Sequence, residues 1–211
     1  MVPFSQWLLF SGTALLLAVT PGPNMIYLVS RSISQGWRAA VVSLFGVVAA
    51  FLLHMTAAAL GLTALFLAVP IAYEALKWAG ALYLFWLAWQ ALKPGARSLF
   101  EPRLLPAHSS ATLFRMGFLT CALNPKAAML YLSILPQFVS PANGPVLAQS
   151  LVLGTTQIFI SFSCNLVVAL SAAGISGWFA RKPAWMSTQR YFMGSVLGAL
   201  AVRMVLERRT A

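Results

Sequence analysis

Six long apolar segments follow one another along the 211-residue chain, separated by short stretches that contain polar residues. Each segment is long enough to cross the roughly 30 Å hydrocarbon core of a bilayer as an α-helix, although the last is short unless Arg203 extends toward the headgroups. The segments are approximately 4–29, 39–69, 71–92, 113–138, 146–173 and 191–206. The pattern predicts an all-α integral membrane protein with six transmembrane helices.

The first apolar segment contains an interruption at residues 20–24, whose sequence is TPGPN. Pro21 and Pro23 each remove a backbone donor and Gly22 lacks a Cβ, so we expect the helix to break there and leave polar backbone groups free. Free backbone at membrane depth is tolerated only inside protein or beside a water-filled cavity. The break is therefore expected to face the interior or a cavity.

A related sequence recurs 104 positions later in the chain. Ala122, Pro125, Met129, Tyr131 and Leu132 repeat Ala18, Pro21, Met25, Tyr27 and Leu28. We interpret residues 1–211 as one transporter domain with two related halves, about 1–93 and 111–211, joined by a linker at about 94–110. Because each half has three helices, the halves must insert with opposite orientations. The sequence therefore predicts two inverted three-helix repeats with proline-interrupted helices 1 and 4.

The composition supports a membrane protein. Hydrophobic residues make up 60% of the chain and charged residues 8%, against about 45–50% and about 25% in soluble domains. The net charge of +11 would suggest nucleic-acid binding in a soluble protein. Here the basic residues lie mainly between apolar segments, which is how a membrane protein fixes its orientation, so nucleic-acid binding is the weaker interpretation.

Basic residues concentrate in the odd-numbered connections. They are Arg31 and Arg38 in the first connection, Lys93, Arg97, Arg103 and Arg115 in the third, and Arg181, Lys182 and Arg190 in the fifth. The N-terminus and the fourth connection contain none. The positive-inside rule therefore predicts that both termini face away from the cytoplasm, although Arg208 and Arg209 in the tail argue against this orientation.

Few ionisable residues lie within the apolar segments, and each is a candidate for function because charge is costly there. Lys126, in the fourth segment, either meets a carboxylate of the substrate or the protein, or extends to the cytoplasmic headgroups. His54 changes charge near neutral pH and suits proton transfer, but it could equally be a neutral packing residue. Glu74 and Lys77 lie three apart on one helical face, where a local ion pair is the simplest account.

Other classes of site find little support in the sequence. There is no HExxH, GxSxG or P-loop motif, and three acidic residues do not easily supply a paired-carboxylate site, so we expect no enzymatic activity, cofactor or metal. Cys121 and Cys164 lie in apolar segments without a CxxC or His-rich partner, which suggests neither a disulfide nor zinc. Gly194 and Gly198 form a GxxxG pair that suits close helix packing or a homodimer.

The substrate site is predicted between the two interruptions. After Pro21, Gly22 and Pro23, the helix begins again with unsatisfied N–H groups and a partial positive charge, which would stabilise a carboxylate. Pro125 does the same in the second half, and Lys126 adds a full charge. The other predicted members are Thr20, Asn24 and Asn124, which can hydrogen-bond a zwitterion, and Tyr27 and Tyr131, which close the cavity walls. The polar residues Thr20, Asn24, Asn124, Ser163 and Asn165 equally suit helix-to-helix bonding in lipid.

Four stretches together resemble the LysE/RhtB family of bacterial amino-acid exporters. They are TPGPN (20–24), RSISQGWR (31–38), KWAGALYLFWL (77–87) and GFLTCALNPKAAMLYLSILPQFV (117–139). The resemblance covers nearly the whole chain, and the combination of TPGPN with NPK followed by LPQF is specific. It implies a multi-pass protein of the bacterial cytoplasmic (inner) membrane that exports amino acids or close derivatives, such as homoserine, threonine, lysine or homoserine lactone, driven by the proton gradient.

The resemblance also carries functional roles onto particular positions. These are Pro21, Gly22, Pro23, Asn24, Asn124, Pro125 and Lys126 for the substrate, with His54 and Glu74 as candidates for proton coupling. Two departures from the family pattern matter: Ala88 stands where many members have Gly, and the fifth helix lacks the Asp that some members have. The second departure leaves the proton-coupling group open and argues against a strongly cationic substrate such as lysine.

Two functions remain open at this point. The first is a secondary transporter that exports a neutral amino acid of the homoserine or threonine type. Its transport should saturate and be coupled to protons, unlike passage through a channel. The alternative is a passive channel or a non-transporting membrane interaction protein of the same fold. An inert anchor does not need two polar helix breaks, which favours the transporter. The direction of transport and the substrate class come from the resemblance alone.

Overall fold

The computed structural model describes residues 1–20, 22–68 and 106–179, together with 78, 81–82, 85–86, 89, 92–93, 191, 195, 198–199 and 201–202. Of residues 62–68, 125 and 173–179 it describes the backbone alone. Several predictions fall outside these residues: most of the third and sixth apolar segments, most of the linker, and Pro21, Glu74, Lys77 and Gly194. The six-span arrangement therefore stays a prediction.

The described part of the chain is helical and contains no β-strand, so the all-α class is confirmed. Its α-helices are α1 (Phe4–Val19), α2 (Pro23–Gln35), α3 (Trp37–Ala68), α4 (Ser110–Ala122), α5 (Pro125–Met129) and α6 (Val146–Phe179). After α5 the chain continues through a π-helical turn (Leu130–Ile134) and a 3-10 turn (Leu135–Phe138), and a second 3-10 turn covers Pro141–Asn143.

The positions of the prolines account for the lengths of these helices. Neither α3, of 32 residues, nor α6, of 34, contains a proline, and each continues past the length of a membrane span. By contrast, α2 and α5 each begin with a proline, where the missing N–H costs no hydrogen bond. Long helices and broken helices thus alternate along the chain.

Two helices, at Trp37–Gly61 and Val146–Ala172, are long and apolar enough to cross a membrane. Two bent pairs would raise the number of spans to four if each pair crosses the membrane as one unit. The axes of α1 and α2 meet at 50°, and those of Ser110–Ala122 and Lys126–Phe138 meet at 54°. The described residues thus contain two uninterrupted candidate spans and two bent helix pairs.

Helix α3 packs against both α4 and α6, and α6 also packs against α1 and α2. Helices α3 and α4 approach each other closely at Gly46 and Gly117. A Cβ at Gly46 would lie 2.0 Å from the Phe114 carbonyl oxygen, and a Cβ at Gly117 would lie 2.0 Å from the Ser43 carbonyl oxygen. Only glycine permits this contact, because any Cβ would overlap the opposite backbone. The two helices touch backbone to backbone, as small residues allow in membranes.

Large apolar side chains cover the outer surface of the uninterrupted candidate spans. Among the exposed ones are Leu52, Leu53, Leu60, Val152, Phe159, Val167 and Leu170. A soluble monomer rarely exposes so continuous an apolar surface, whereas lipid tails accept it. The protein is thus a membrane protein in its surface as well as in its helix lengths.

Contacts between connections place them in pairs at the two ends of the molecule. The Met1 amino group donates a hydrogen bond to the Asn143 carbonyl oxygen, which joins the N-terminus to the fourth connection. At the other end, Arg31 Nη1 donates to the Pro106 carbonyl oxygen at 2.9 Å, and Gln35 exchanges two hydrogen bonds with the His108 backbone. The first and third connections, both rich in basic residues, therefore lie at one end, as the positive-inside rule requires of connections on one side.

Candidate functional site

The two helix breaks meet inside the protein, joined by a hydrogen bond between two asparagines. Asn124 Nδ2 donates to Asn24 Oδ1 at 3.1 Å. Asn24 is 8% exposed and Asn124 is 2% exposed. A buried amide is costly unless it is paired, so this bond fixes the first turn of α2 beside the start of α5. Residues 100 positions apart in the sequence thus form one site.

Lys126 connects the second break to the first. Its backbone N–H donates to Asn124 Oδ1 at 3.0 Å, which caps the start of α5. Its ammonium group Nζ donates to the carbonyl oxygens of Leu17 at 2.9 Å and Thr20 at 2.6 Å. These carbonyls belong to the C-terminal end of α1, where helical partners are missing and a cation is favoured. Lys126 thus points to α1 across the break.

Gly22 makes room for the Lys126 side chain. Its backbone is extended, with φ −161° and ψ 178°, a conformation open to any residue. A Cβ at this position, however, would lie 3.2 Å from Lys126 Nζ and 3.3 Å from Lys126 Cε. Gly22 also supplies no side-chain cap to α2. The absence of a Cβ thus lets the lysine approach closely, and the backbone conformation does not itself call for glycine.

A small cavity of ≈ 30 Å³ lies where the breaks meet α3 and α6. Its lining combines apolar and polar side chains: Leu17, Ala18, Asn24, Met25, Phe51, Asn124, Lys126, Ala127, Leu130, Gln157, Ser161 and Asn165. A space of this size accepts about two water molecules. An amino acid is larger, so the molecule must open further before this cavity could hold one.

Helix α6 supplies three polar residues to the cavity, Gln157, Ser161 and Asn165, spaced four positions apart. Residues at this spacing share one face of a helix. Asn165 was among the polar residues singled out from the sequence, whereas Gln157 and Ser161 were not. Ser163, which was also singled out, is not part of the lining. The four-residue spacing of polar positions along an apolar helix was the signal that could have identified the face.

The two tyrosines predicted to close the cavity lie behind it. Tyr131 is fully buried, and its hydroxyl donates to Gln157 Oε1, so it supports a lining residue from outside. The Tyr27 hydroxyl lies 3.1 Å from Ser43 Oγ and 3.4 Å from the Leu113 carbonyl oxygen, where α2 meets α3 and α4. The Thr20 hydroxyl donates to Leu16 O of its own helix at 2.6 Å, and only its carbonyl reaches Lys126.

Of the two proton-coupling candidates, His54 lies within the described residues and Glu74 lies outside them. His54, on α3, lies beside the second break: its Nε2 is 3.3 Å from the Cys121 carbonyl oxygen, and its ring stacks on Tyr131 with centroids 5.9 Å apart. It is not part of the cavity lining.

The prolines predicted for the substrate site lie at the helix starts. Pro23 is the first residue of α2 and Pro125 is the first residue of α5. Pro21, like Glu74, lies outside the described residues.

Comparisons with known proteins agree with the sequence motifs. A model of the family "LysE type translocator" matches residues 15–208. The homoserine/homoserine lactone efflux protein of Salmonella typhimurium strain LT2 is 33% identical over 200 residues, which cover 93% of this chain and 96% of that protein. The leucine efflux protein of Enterobacter sp. strain 638 is 25% identical over 191 residues, 90% of each chain.

An uncharacterized membrane protein of Vibrio cholerae serotype O1 is 28% identical over 193 residues, which cover 90% of this chain and 91% of that protein. No solved structure matches the chain. The family match covers most of the chain, and the first relative exceeds 30% identity over nearly its full length. The resemblance drawn from TPGPN and NPK is confirmed, and the chain belongs to the LysE type translocator family.

Proposed function

We propose that the protein is a secondary transporter that exports a neutral amino acid, or a close derivative, across the bacterial inner membrane. The observation that carries this proposal is the Lys126 ammonium group, which lies at the junction of two helix breaks beside a cavity with polar lining. Family membership and the names of the efflux proteins of Salmonella and Enterobacter support export, with homoserine and leucine as the first substrates to test.

Lys126 would bind the substrate carboxylate. Its ammonium carries three N–H groups, and two of them donate to carbonyl oxygens of α1. The third would donate to a carboxylate in the cavity, where a charge acts more strongly as water is excluded. The N-terminal turn of α2, which also lines the cavity at Asn24 and Met25, adds the partial positive charge of a helix start.

The architecture we propose has six transmembrane helices in two inverted repeats, with helices 1 and 4 interrupted at the prolines. The 104-residue offset supports this, because it pairs the bend between α1 and α2 with the bend between α4 and α5. Packing supports it as well: α3 packs on α4, and its counterpart α6 packs on α1. Inverted repeats allow alternating access by motion of one half against the other.

Export would be driven by the proton gradient, with His54 and Glu74 as the candidate proton carriers. His54 contacts Tyr131, which donates to the cavity residue Gln157, so a change of charge at His54 would alter the electrostatic environment of the cavity wall.

A homodimer through the Gly194 and Gly198 face is part of the same proposal, although Gly194 lies outside the described residues.

Uptake by everted membrane vesicles tests the function, because an exporter fills such vesicles. Labelled homoserine and leucine should enter in a saturable manner, and a protonophore should stop their accumulation. Lys126→Ala should abolish uptake while the protein still reaches the membrane, and Lys126→Arg should retain part of it, because a planar guanidinium does not replace a point charge. Lys93→Ala, which removes an exposed lysine at the end of a helix, is the matched control. Wild-type uptake by Lys126→Ala, or uptake without saturation, would contradict the proposal.

A further inference from the structure

Hydrogen bonds hold the polar side chains along one face of α6, from Gln157 to Asn165. Tyr131 donates to Gln157 Oε1, and Gln157 Nε2 donates to Ser161 Oγ at 2.7 Å. Asn165 Nδ2 then donates to the Ser161 carbonyl oxygen at 2.7 Å. The last of these bonds holds the amide nitrogen of Asn165 on its own helix.

The Asn165 oxygen has no hydrogen-bond partner among the described residues, although the side chain is only 5% exposed. Buried acceptors are normally paired, so an unpaired one is exceptional. Asn165 also lines the cavity beside the helix breaks. The unpaired oxygen is therefore an acceptor that a ligand in this cavity can use.

The acceptor oxygens of the other polar side chains around the cavity already have partners. Asn24 Oδ1 accepts from Asn124, and Asn124 Oδ1 accepts from the Lys126 backbone. Gln157 Oε1 accepts from Tyr131, and Ser161 Oγ accepts from Gln157. Among these lining side chains the described bonds leave Asn165 as the acceptor that lacks a donor.

We propose that Asn165 Oδ1 accepts a hydrogen bond from the ammonium group of the substrate, while Lys126 donates one to the substrate carboxylate. This inference rests on the proposed function and assigns recognition of the ammonium group to one residue of α6. Donation by Asn165 Nδ2 to the Ser161 carbonyl oxygen makes Oδ1 of the same amide a stronger acceptor, because a hydrogen bond made at one end of an amide polarises the other end. Gln157, Ser161 and Asn165 share the face of α6 from which the substrate would be recognised.

Competition in everted vesicles tests the assignment with two probes that differ by the ammonium group. Homoserine carries it and 4-hydroxybutanoate lacks it, while the rest of the two molecules is the same. In the wild type, homoserine should inhibit uptake of labelled homoserine far more strongly than 4-hydroxybutanoate does. In Asn165→Leu the inhibition constant of homoserine should rise about tenfold or more, as expected for a lost hydrogen bond to a charged group. The constant for 4-hydroxybutanoate should stay within about twofold of the wild-type value, because that probe makes no such bond.

Two further variants keep the test decisive. Asn165→Ser retains a smaller acceptor and should raise the KM for homoserine less than Asn165→Leu. Ser171→Ala, which removes a hydroxyl bonded to Val167 O within the same helix, is the control for a general disturbance of α6. The inference would be overturned by an unchanged KM for homoserine in Asn165→Leu, or by an equal rise of the inhibition constants of both probes. The proposed function would still stand in either case, provided that the wild type shows saturable uptake. Absence of saturable uptake by the wild type would overturn the proposed function itself.

Discussion

The two helix breaks have related sequences but are stabilised in different ways. At the first break the C-terminal carbonyls of Leu17 and Thr20 accept hydrogen bonds from Lys126, which belongs to the second break. At the second break the Cys121 carbonyl oxygen accepts from Asn124 N at 3.0 Å and lies 3.3 Å from His54 Nε2. The carbonyls at the first break thus depend on the second break, while the Cys121 carbonyl at the second break is paired by its own segment and by α3.

The two breaks differ in sequence at the positions that contact each other. At the 104-residue offset Thr20 corresponds to Asn124, and Gly22 corresponds to Lys126. These are also the positions at which the two breaks contact each other. Lysine at both positions would bring like charges together and repel. The second break has the cation, and the first has the glycine that gives it space.

The largest effect is expected from a larger side chain at the first break. Gly22→Val should reduce uptake by more than about 100-fold, because a branched Cβ displaces the Lys126 ammonium from the α1 carbonyls, and the remaining charge is then unpaired. Gly22→Ala should fall between this variant and the wild type. The measurement is uptake at saturating homoserine, normalised to the amount of protein in the membrane.

Gly12→Ala is the matched control for Gly22, because a Cβ at Gly12 meets no atom within 4 Å. Wild-type uptake by Gly22→Val would show that the first break tolerates the loss of the lysine contact. The dependence of one break on the other would then be refuted.

A smaller and unequal effect is expected from the two asparagines. Asn124→Ala loses both the cap of α5 and the bond to Asn24, which should lower the free energy of unfolding by about 2 kcal/mol. Asn24→Ala loses the shared bond alone and should lower it by about 1 kcal/mol. Thermal unfolding in detergent measures both, and the double variant should fall short of the sum because the two changes remove one bond in common. Both variants are also expected to lose export, since each residue lines the cavity.

The smallest effect on stability is expected from His54. Since Asn124 N also donates to the Cys121 carbonyl, His54→Phe should cost about 1 kcal/mol or less and keep an aromatic ring against Tyr131. If His54 carries the coupled proton, this variant should lose accumulation driven by the proton gradient but retain counterflow, the exchange of labelled for unlabelled homoserine. Gradient-driven accumulation at the wild-type level would remove His54 from the coupling pathway and leave Glu74 as the candidate.

The sequence predicted the features that follow from local chemistry. Apolar runs indicated membrane helices, and the prolines near Gly22 and Lys126 marked the positions where helices end and begin again. The TPGPN and NPK motifs indicated the family, which the comparison confirmed. These features depend on residues that are neighbours in the sequence, so one amino-acid sequence is sufficient to predict them.

The remaining features depend on contacts between distant residues. That Lys126 donates to carbonyls 106 and 109 positions away could not be read from its neighbours, which left extension to the headgroups equally open. Tyr27 and Tyr131 looked equivalent by the repeat, yet they contact different helices. The roles of Gln157 and Ser161 follow from the rotation of α6 about its axis, which packing determines.

The contact of α3 with α4 at Gly46 and Gly117 limits how the cavity can open. With no side chain between the two backbones, neither helix can slide along the other without forcing a side chain onto a peptide group, but each can rotate about the crossing. Movement then grows with distance from this pivot. Asn124 lies seven residues beyond Gly117, about 10 Å along a helix, so a rotation of about 10° would move the second break by about 2 Å. Rotation about this contact would therefore move Lys126 more than the residues near Gly46 and Gly117.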